Sequence, residues 1–168
     1  SDLPVDPSLV SAFDASDANG GGTDLRRAVT LSADGLKAVK FPKEGGLGTE
    51  HDWIEIRLAD VILLYAEALN ETGSPATTVL ALLDPIRTRA GLTSLVGTAT
   101  SKTEVSQVIS NERRLELAFE GHRWFDLVRT NSVNAAMGQS VNSNYHVFPI
   151  PVSEILATGG VITQNAGY

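Results

Sequence analysis

Cysteine is absent from the 168-residue sequence, and this absence excludes disulfides, thiolate nucleophiles and zinc sites with cysteine ligands. The longest apolar run, residues 61–66, is far shorter than the roughly 20 residues that a bilayer-spanning helix needs. Acidic residues outnumber lysine and arginine by 20 to 13, so the net charge of −7 repels phosphate backbones and excludes nucleic acid as a partner. The N-terminus has neither a basic start nor an apolar core, so no signal peptide is predicted within the sequence. The expected protein is then either cytosolic, or its sequence here begins after a targeting segment.

The residues that are present indicate a folded, mainly α-helical protein. Hydrophobic residues make up 42% of the sequence, which is enough to form a core. Residues 1–50 are rich in turn signals, including three consecutive glycines at 20–22, so they are predicted to be an irregular arm with at most one short strand near residues 38–41. Residues 51–168 form the predicted helical region.

Apolar residues recur with helical spacing from Ile54 onward and predict a first helix over residues 53–71. Ser74 and Pro75 start a second helix, predicted over 75–90, in which Pro85 introduces a kink. The short link between the two predicts an antiparallel hairpin of about the length of one tetratricopeptide unit.

Ser101 and Glu104 form a capping box that opens the longest predicted helix, residues 102–130, with Gly121 as its weak point. Two prolines predict an extended segment at 146–151 within an otherwise irregular C-terminal arm. The predicted fold is therefore a tetratricopeptide-like hairpin plus one long helix, with irregular N- and C-terminal arms.

The long helix carries a charged patch. At about 100° per residue, five side chains share one arc of the helix: Glu112, Arg113, Glu116, Glu120 and Arg123. Such carboxylates can be the catalytic residues of a glycosidase, or they can form a structural ion-pair network. A general acid needs a carboxyl kept neutral by an apolar pocket, whereas each glutamate here has an arginine nearby. We therefore predict a structural network and no catalytic residue.

Other chemistry has little support in the sequence. The three histidines lack the spacing of a helical zinc pair, and the sequence has neither a P-loop nor a nucleophile elbow, so neither a metal nor a cofactor is predicted. Aromatic residues make up only 6% of the chain. Trp53 and Tyr145 are the candidates for stacking on a sugar ring, while Trp124 is predicted to pack in the core.

Five blocks, in order along the chain, resemble the SusD/RagB family. They are residues 56–70, residues 86–92, residues 112–129, the Phe-Pro-Ile-Pro run at 148–151 and the Gln-Asn-Ala-Gly-Tyr run at 164–168. Asp24 and Arg26 match the Asp-x-Arg element that precedes the hairpin in this family.

The resemblance implies a surface lipoprotein of the bacterial outer membrane that binds oligosaccharides or other nutrients beside a SusC-like TonB-dependent transporter. Members of the family are not enzymes. They are longer than this sequence and carry a lipidated N-terminal cysteine that it lacks, so the sequence is predicted to be the C-terminal part of such a protein. The family's glycan-contacting residues vary and lie largely upstream, so none carries over to a position here.

Two other functions compete with this prediction. A tetratricopeptide-like hairpin can serve as a protein-interaction module that binds a peptide. The patch from Glu112 to Glu120 can be the catalytic site of a small glycosidase. Hydrolysis of a glycan by the purified protein would favour that function.

Overall fold

The computed structural model describes residues 4–20, 23–41 and 54–168, and it confirms the mainly α-helical fold. The α-helices are α1 Pro7–Gly20, α2 Arg26–Thr30, α3 Leu58–Glu71, α4 Ala76–Ala81, α5 Asp84–Arg89, α6 Lys102–Glu116, α7 Arg123–Arg129, α8 Val133–Met137 and α9 Val152–Ala157, with a 3-10 helix at Ser143–His146. Within the described ranges, β-structure is limited to one antiparallel bridge between Leu31 and Ala38. None of the helices in those ranges is long and apolar enough to cross a membrane.

The N-terminal arm, predicted to be irregular, contains α1 and α2. Leu9 and Phe13 lie one helical turn apart on α1 and are buried in a cluster that includes Leu31 and Leu115. Burial of this apolar face stabilises a helix that the local turn signals alone do not predict. The strand predicted near residues 38–41 is reduced to the single bridge at Ala38.

The two helices predicted for the hairpin differ from the observed ones at identifiable residues. The first begins at Leu58 rather than at 53, because Arg57 is extended (φ −140°, ψ 161°) and its guanidinium binds carboxylates of another segment. The second is divided into α4 and α5. Pro85 lies in the first turn of α5, where a missing N–H costs no helical hydrogen bond.

The long helix predicted over residues 102–130 is broken after Glu116. The capping box forms as predicted at its start, with Ser101 and Glu104 bonding each other's backbone N–H. At its end, the Glu116 carbonyl accepts hydrogen bonds from Arg57 Nη2 at 2.6 Å and from Lys40 Nζ at 2.8 Å. Phe119 then takes a left-handed conformation (φ 65°), which is not compatible with a continuing α-helix.

Charged side chains separate two apolar clusters along α6. Val105 and Ile109 belong to a cluster with α3 and α4, whereas Leu115 packs with α1. The buried charged residues Glu112 and Arg113 lie between them. The apolar stripe of α6 is therefore interrupted by charges within the interior of the compact unit Ser1–His122.

Residues Arg123–Tyr168 form a second compact unit, in which side-chain hydrogen bonds hold an extended segment. The Gln164 side chain accepts from Ile150 N at 2.8 Å and donates to Ile150 O at 2.9 Å. Asn165 donates to the Phe148 carbonyl at 2.7 Å, and the Tyr168 hydroxyl donates to the Val147 carbonyl at 3.1 Å. The C-terminal block thus fixes the proline-containing block within this unit.

Candidate functional site

The carboxylates of the charged patch are buried and bound by cations from distant parts of the chain. Glu112 and Glu116 each expose only 3% of their side-chain surface. Glu112 is bound by Arg26 Nη1 at 2.6 Å and by Arg87 Nη1 at 2.9 Å, one cation on each oxygen. The guanidinium groups therefore replace the water that an exposed carboxylate would bind.

Three arginines bind the Glu116 carboxylate. Its Oε1 accepts from Arg57 Nη1 at 2.6 Å and from Arg89, and its Oε2 lies 3.2 Å from Arg26 Nη1. Glu120, in the turn after α6, accepts two bonds from Arg57, at 2.6 and 2.9 Å, and also pairs with Lys40. Arg57 thus joins both carboxylates and the end of α6.

Arg26 connects the patch to the N-terminal arm. Its Nε and Nη2 form a two-pronged bond to Asp24 at 2.9 and 2.7 Å, while its Nη1 binds Glu112. Asp24 also accepts from the Ser16 hydroxyl at 3.1 Å. Forked binding of this kind fixes both position and orientation, so Arg26 holds α2 against α6.

The two arginines predicted for the network, Arg113 and Arg123, lie on different helices. Arg113 lies on α6 and pairs with Asp60 of α3, with 2.8 Å between Nη1 and Oδ1. Arg123 lies on α7, in the second unit, so the single helical arc predicted for the five residues does not form. The break after Glu116 is the reason, because it removes Glu120 and Arg123 from the helix that carries Glu112.

The surrounding cations favour the charged forms of Glu116 and Glu120. Burial by itself would raise the pKa of Glu116, but hydrogen bonds and charge from Arg57 and Arg89 outweigh it and lower the pKa to about 2. Burial acts in the same way on Glu120, whose pKa is lowered by Arg57 and Lys40. For Lys40 burial dominates and lowers the pKa, despite the bond to Glu120. Opposite charges at hydrogen-bond distance favour the ionised forms of both glutamates.

A cleft with a volume of about 440 Å³ opens over this network. Its charged lining residues are Arg26, Lys40, Arg57, Arg89, Glu116 and Glu120, and its apolar ones include Leu25, Val29, Phe41 and Ile54. Among the described residues, no group of three histidine, aspartate or glutamate side chains is placed to hold a metal ion.

The structure describes one of the two aromatic candidates. Trp53 lies outside the described residues. Tyr145 belongs to the second unit, where it is half exposed and packs edge-to-face against Tyr168 at 5.7 Å between ring centroids. Trp124, predicted to be a core residue, is partly buried and packs edge-to-face against His146 at 6.4 Å.

Sequence reasoning missed most of the cations that bind the patch. Arg26, Arg57 and Arg87 are 86, 59 and 25 residues away from the carboxylates they bind, so helical spacing cannot reveal them. The Asp-x-Arg match at Asp24 and Arg26 was the sequence feature that could have indicated one of these cations, Arg26.

Comparison with known proteins gives consistent results. The model of the SusD family matches residues 16–147. The chain is 34% identical over 160 residues to the starch-binding protein SusD of Bacteroides thetaiotaomicron. The alignment covers 84% of this chain and 27% of that protein. It is 45% identical over 93 residues to SusD-like protein P38 of Formosa agariphila, which covers 51% of this chain and 18% of that protein.

Solved structures show the same fold. A laminarin-binding SusD-like protein superposes with a TM-score of 0.67 at 32% identity and covers 98% of this chain and 38% of that one. A SusD superfamily protein from Bacteroides vulgatus gives a TM-score of 0.72 at 23% identity. The superposition covers 96% of this chain and 43% of that protein. The chain spans about a quarter of the length of the starch-binding relative. Because the family model matches most of the sequence and the fold agrees, the chain belongs to the SusD family.

Proposed function

We propose that this chain is the C-terminal helical part of a nutrient-binding protein of the bacterial outer-membrane surface. The nutrient is an oligosaccharide, which the protein delivers to a TonB-dependent transporter of the SusC type. The observation that carries the proposal is the 34% identity to a starch-binding protein over 84% of this chain. Membrane attachment would come from an N-terminal lipid anchor.

The buried carboxylates support a scaffold role rather than catalysis. A glycosidase acid must remain protonated near neutral pH, which requires a raised pKa. The arginines around Glu116 and Glu120 lower the pKa of both residues instead. We therefore assign Glu112, Arg113, Glu116 and Glu120 to holding the helices together, and no residue to catalysis.

Glycan contacts within this chain are assigned to Trp53 and Tyr145. Aromatic ring faces bind the apolar faces of sugars, and a phenol adds a hydrogen-bonding group. Tyr145 is half exposed, and its ring and that of Tyr168 form a T-shaped pair. The upstream parts of the native protein would complete the site.

Calorimetry on the native protein that contains this sequence tests the proposal. We expect binding of starch or laminarin oligosaccharides without release of shorter sugars, and weaker binding after Tyr145→Ala or Trp53→Ala. Tyr65→Ala is the matched control, because Tyr65 is an equally exposed tyrosine on α3. Hydrolysis of any tested glycan would contradict the scaffold assignment, and failure to bind any glycan would contradict the binding function.

The transporter partnership needs a separate experiment. The native protein should co-purify from detergent-solubilised outer membranes with the TonB-dependent transporter encoded beside it, identified by mass spectrometry. Recovery of the protein alone, under conditions that keep the transporter soluble, would contradict the partnership. Selective binding of peptides in place of glycans would support a tetratricopeptide-like interaction module instead.

A further inference from the structure

Helix α3 is apolar on two opposite faces. On one face, Ala59, Leu63 and Ala66 are buried in the cluster that includes side chains of α4 and α6. The opposite face is exposed and covers an arc of about 120° at 100° per residue. We call it the outer face of α3, and its members are Leu58, Val61, Leu64, Tyr65 and Ala68. A helix that is apolar on both sides is expected to be covered on both.

The neighbouring helices of the same unit have polar outer faces. The exposed residues of α4 include Thr77 and Thr78, and those of α6 include Thr103, Gln107 and Asn111. When helical hairpins stack on one another, the terminal helices need a polar outer face, whereas internal helices are apolar on both sides. α4 and α6 therefore have the pattern of helices that face water, and α3 has the pattern of an internal helix.

The small size of the outer face favours an occupant from the same polypeptide. The face has five side chains, whereas a stable interface between separate proteins uses roughly 20–30 residues on each side. A segment of the same polypeptide can dock on a smaller face, because the covalent connection gives it a high effective concentration. This chain covers 27% of the starch-binding relative and 38% of the laminarin-binding protein, so the native protein we propose has further segments to supply the occupant.

We propose that the outer face of α3 is the docking site for an amphipathic helix from the upstream part of the native protein. Leu58, Val61 and Tyr65 recur at intervals of three and four residues, which is the spacing of the ridges through which two helices pack. The face then joins the two parts of the native protein and is closed to peptide ligands. The inference rests on the proposal that this chain is the C-terminal part of a longer protein.

Photo-cross-linking on the native protein identifies the occupant. Tyr65 is replaced by p-benzoylphenylalanine, which keeps an aromatic ring on the outer face. The control is the same replacement of Gln107, which lies exposed on the polar outer face of α6. After irradiation, mass spectrometry should show residue 65 linked to a segment upstream of this sequence, and residue 107 linked to none.

Cysteine labelling measures the coverage of the outer face without a bulky probe. In the folded native protein, Val61→Cys should react with a maleimide at least about tenfold more slowly than Gln107→Cys, because a covered thiol reacts only when the structure opens. The two cysteines should react at the same rate in urea. Tyr65→Ala leaves four of the five side chains in place, so the native protein should still fold and bind glycan.

Four results would overturn the inference. A cross-link from residue 65 to residues 123–168 would show that this chain covers the face itself. A cross-linked dimer, or a link to the transporter, would show an intermolecular contact. Equal labelling at positions 61 and 107 in the folded protein would show a face open to water. Calorimetry of glycan binding is independent of these results, so the inference and the glycan-binding function can fail separately.

Discussion

The two compact units of the chain keep their shape by different means. In Ser1–His122, charged side chains lie inside the protein and connect segments that are far apart in sequence. In Arg123–Tyr168, the buried hydrophobic residues are Leu127 and Val133, and amide side chains bind the backbone of an extended segment. Substitutions should therefore act through uncompensated charge in the first unit and through local backbone release in the second.

The largest effect is expected for the pair between Arg113 and Asp60 in the first unit. Arg113→Ala leaves a buried carboxylate without this cation and should lower the free energy of unfolding by about 3–5 kcal/mol. Urea denaturation measures this change. Lys102→Ala is the control, because the exposed pair of Lys102 with Glu71 should contribute only about 0–1 kcal/mol. Equal effects of the two substitutions would show that the buried charges are not structurally important.

A smaller effect is expected at Gly167 in the second unit. An added Cβ would lie 2.8 Å from Asn144 Cβ, and φ is +95°. Gly160 has a similar φ of +85° and open space around it, so Gly160→Ala isolates the cost of the backbone conformation. We expect Gly167→Ala to lower the free energy of unfolding by about 1–3 kcal/mol more than Gly160→Ala does, because of crowding. Equal thermal stability of the two variants would mean that Asn144 moves aside freely.

The smallest effect is expected from Gln164. Gln164→Ala removes both hydrogen bonds to Ile150 and should lower local stability by about 1–2 kcal/mol. Hydrogen exchange followed by NMR should then show faster exchange of the Ile150 amide, with amides of α6 unchanged. Gln107→Ala is the control, since the exposed Gln107 side chain donates to Asn111 on the surface of α6. Unchanged exchange at Ile150 would contradict the proposed clamp.

The sequence predicted those features that depend on neighbouring residues. The capping box at Ser101 and Glu104 follows from spacing within one turn. Pro85 was predicted to kink a single helix over residues 75–90, whereas the chain forms two helices there and Pro85 lies in the first turn of the second. The interruption of an apolar stripe by charges was visible because α6 carries both. The spacing of residues along the chain was sufficient to predict both the capping box and the interrupted stripe.

Features that depend on tertiary contacts could not be predicted in this way. The end of α6 at Glu116 is set by Arg57 and Lys40, which cap its carbonyl from segments distant in sequence. The helical state of α1 depends on burial of Phe13 against α6. The cleft depends on the same long-range packing, so a pattern read along one helix gives the carboxylates but not the cations around them.

We propose that the buried carboxylates are structural ions rather than catalytic acids. The most direct test is a carbon-13 NMR titration of the side-chain carboxyl of Glu116, assigned with Glu116→Gln. The ordinary pKa of 4.5 is lowered to about 2, so this carboxylate stabilises the fold above pH 4.5, and its contribution is lost as the pH falls through about 2. The Glu116 signal should stay in its ionised position down to about pH 3. A midpoint of about 6 or above would indicate an acid that is partly protonated near neutral pH and would contradict the structural assignment.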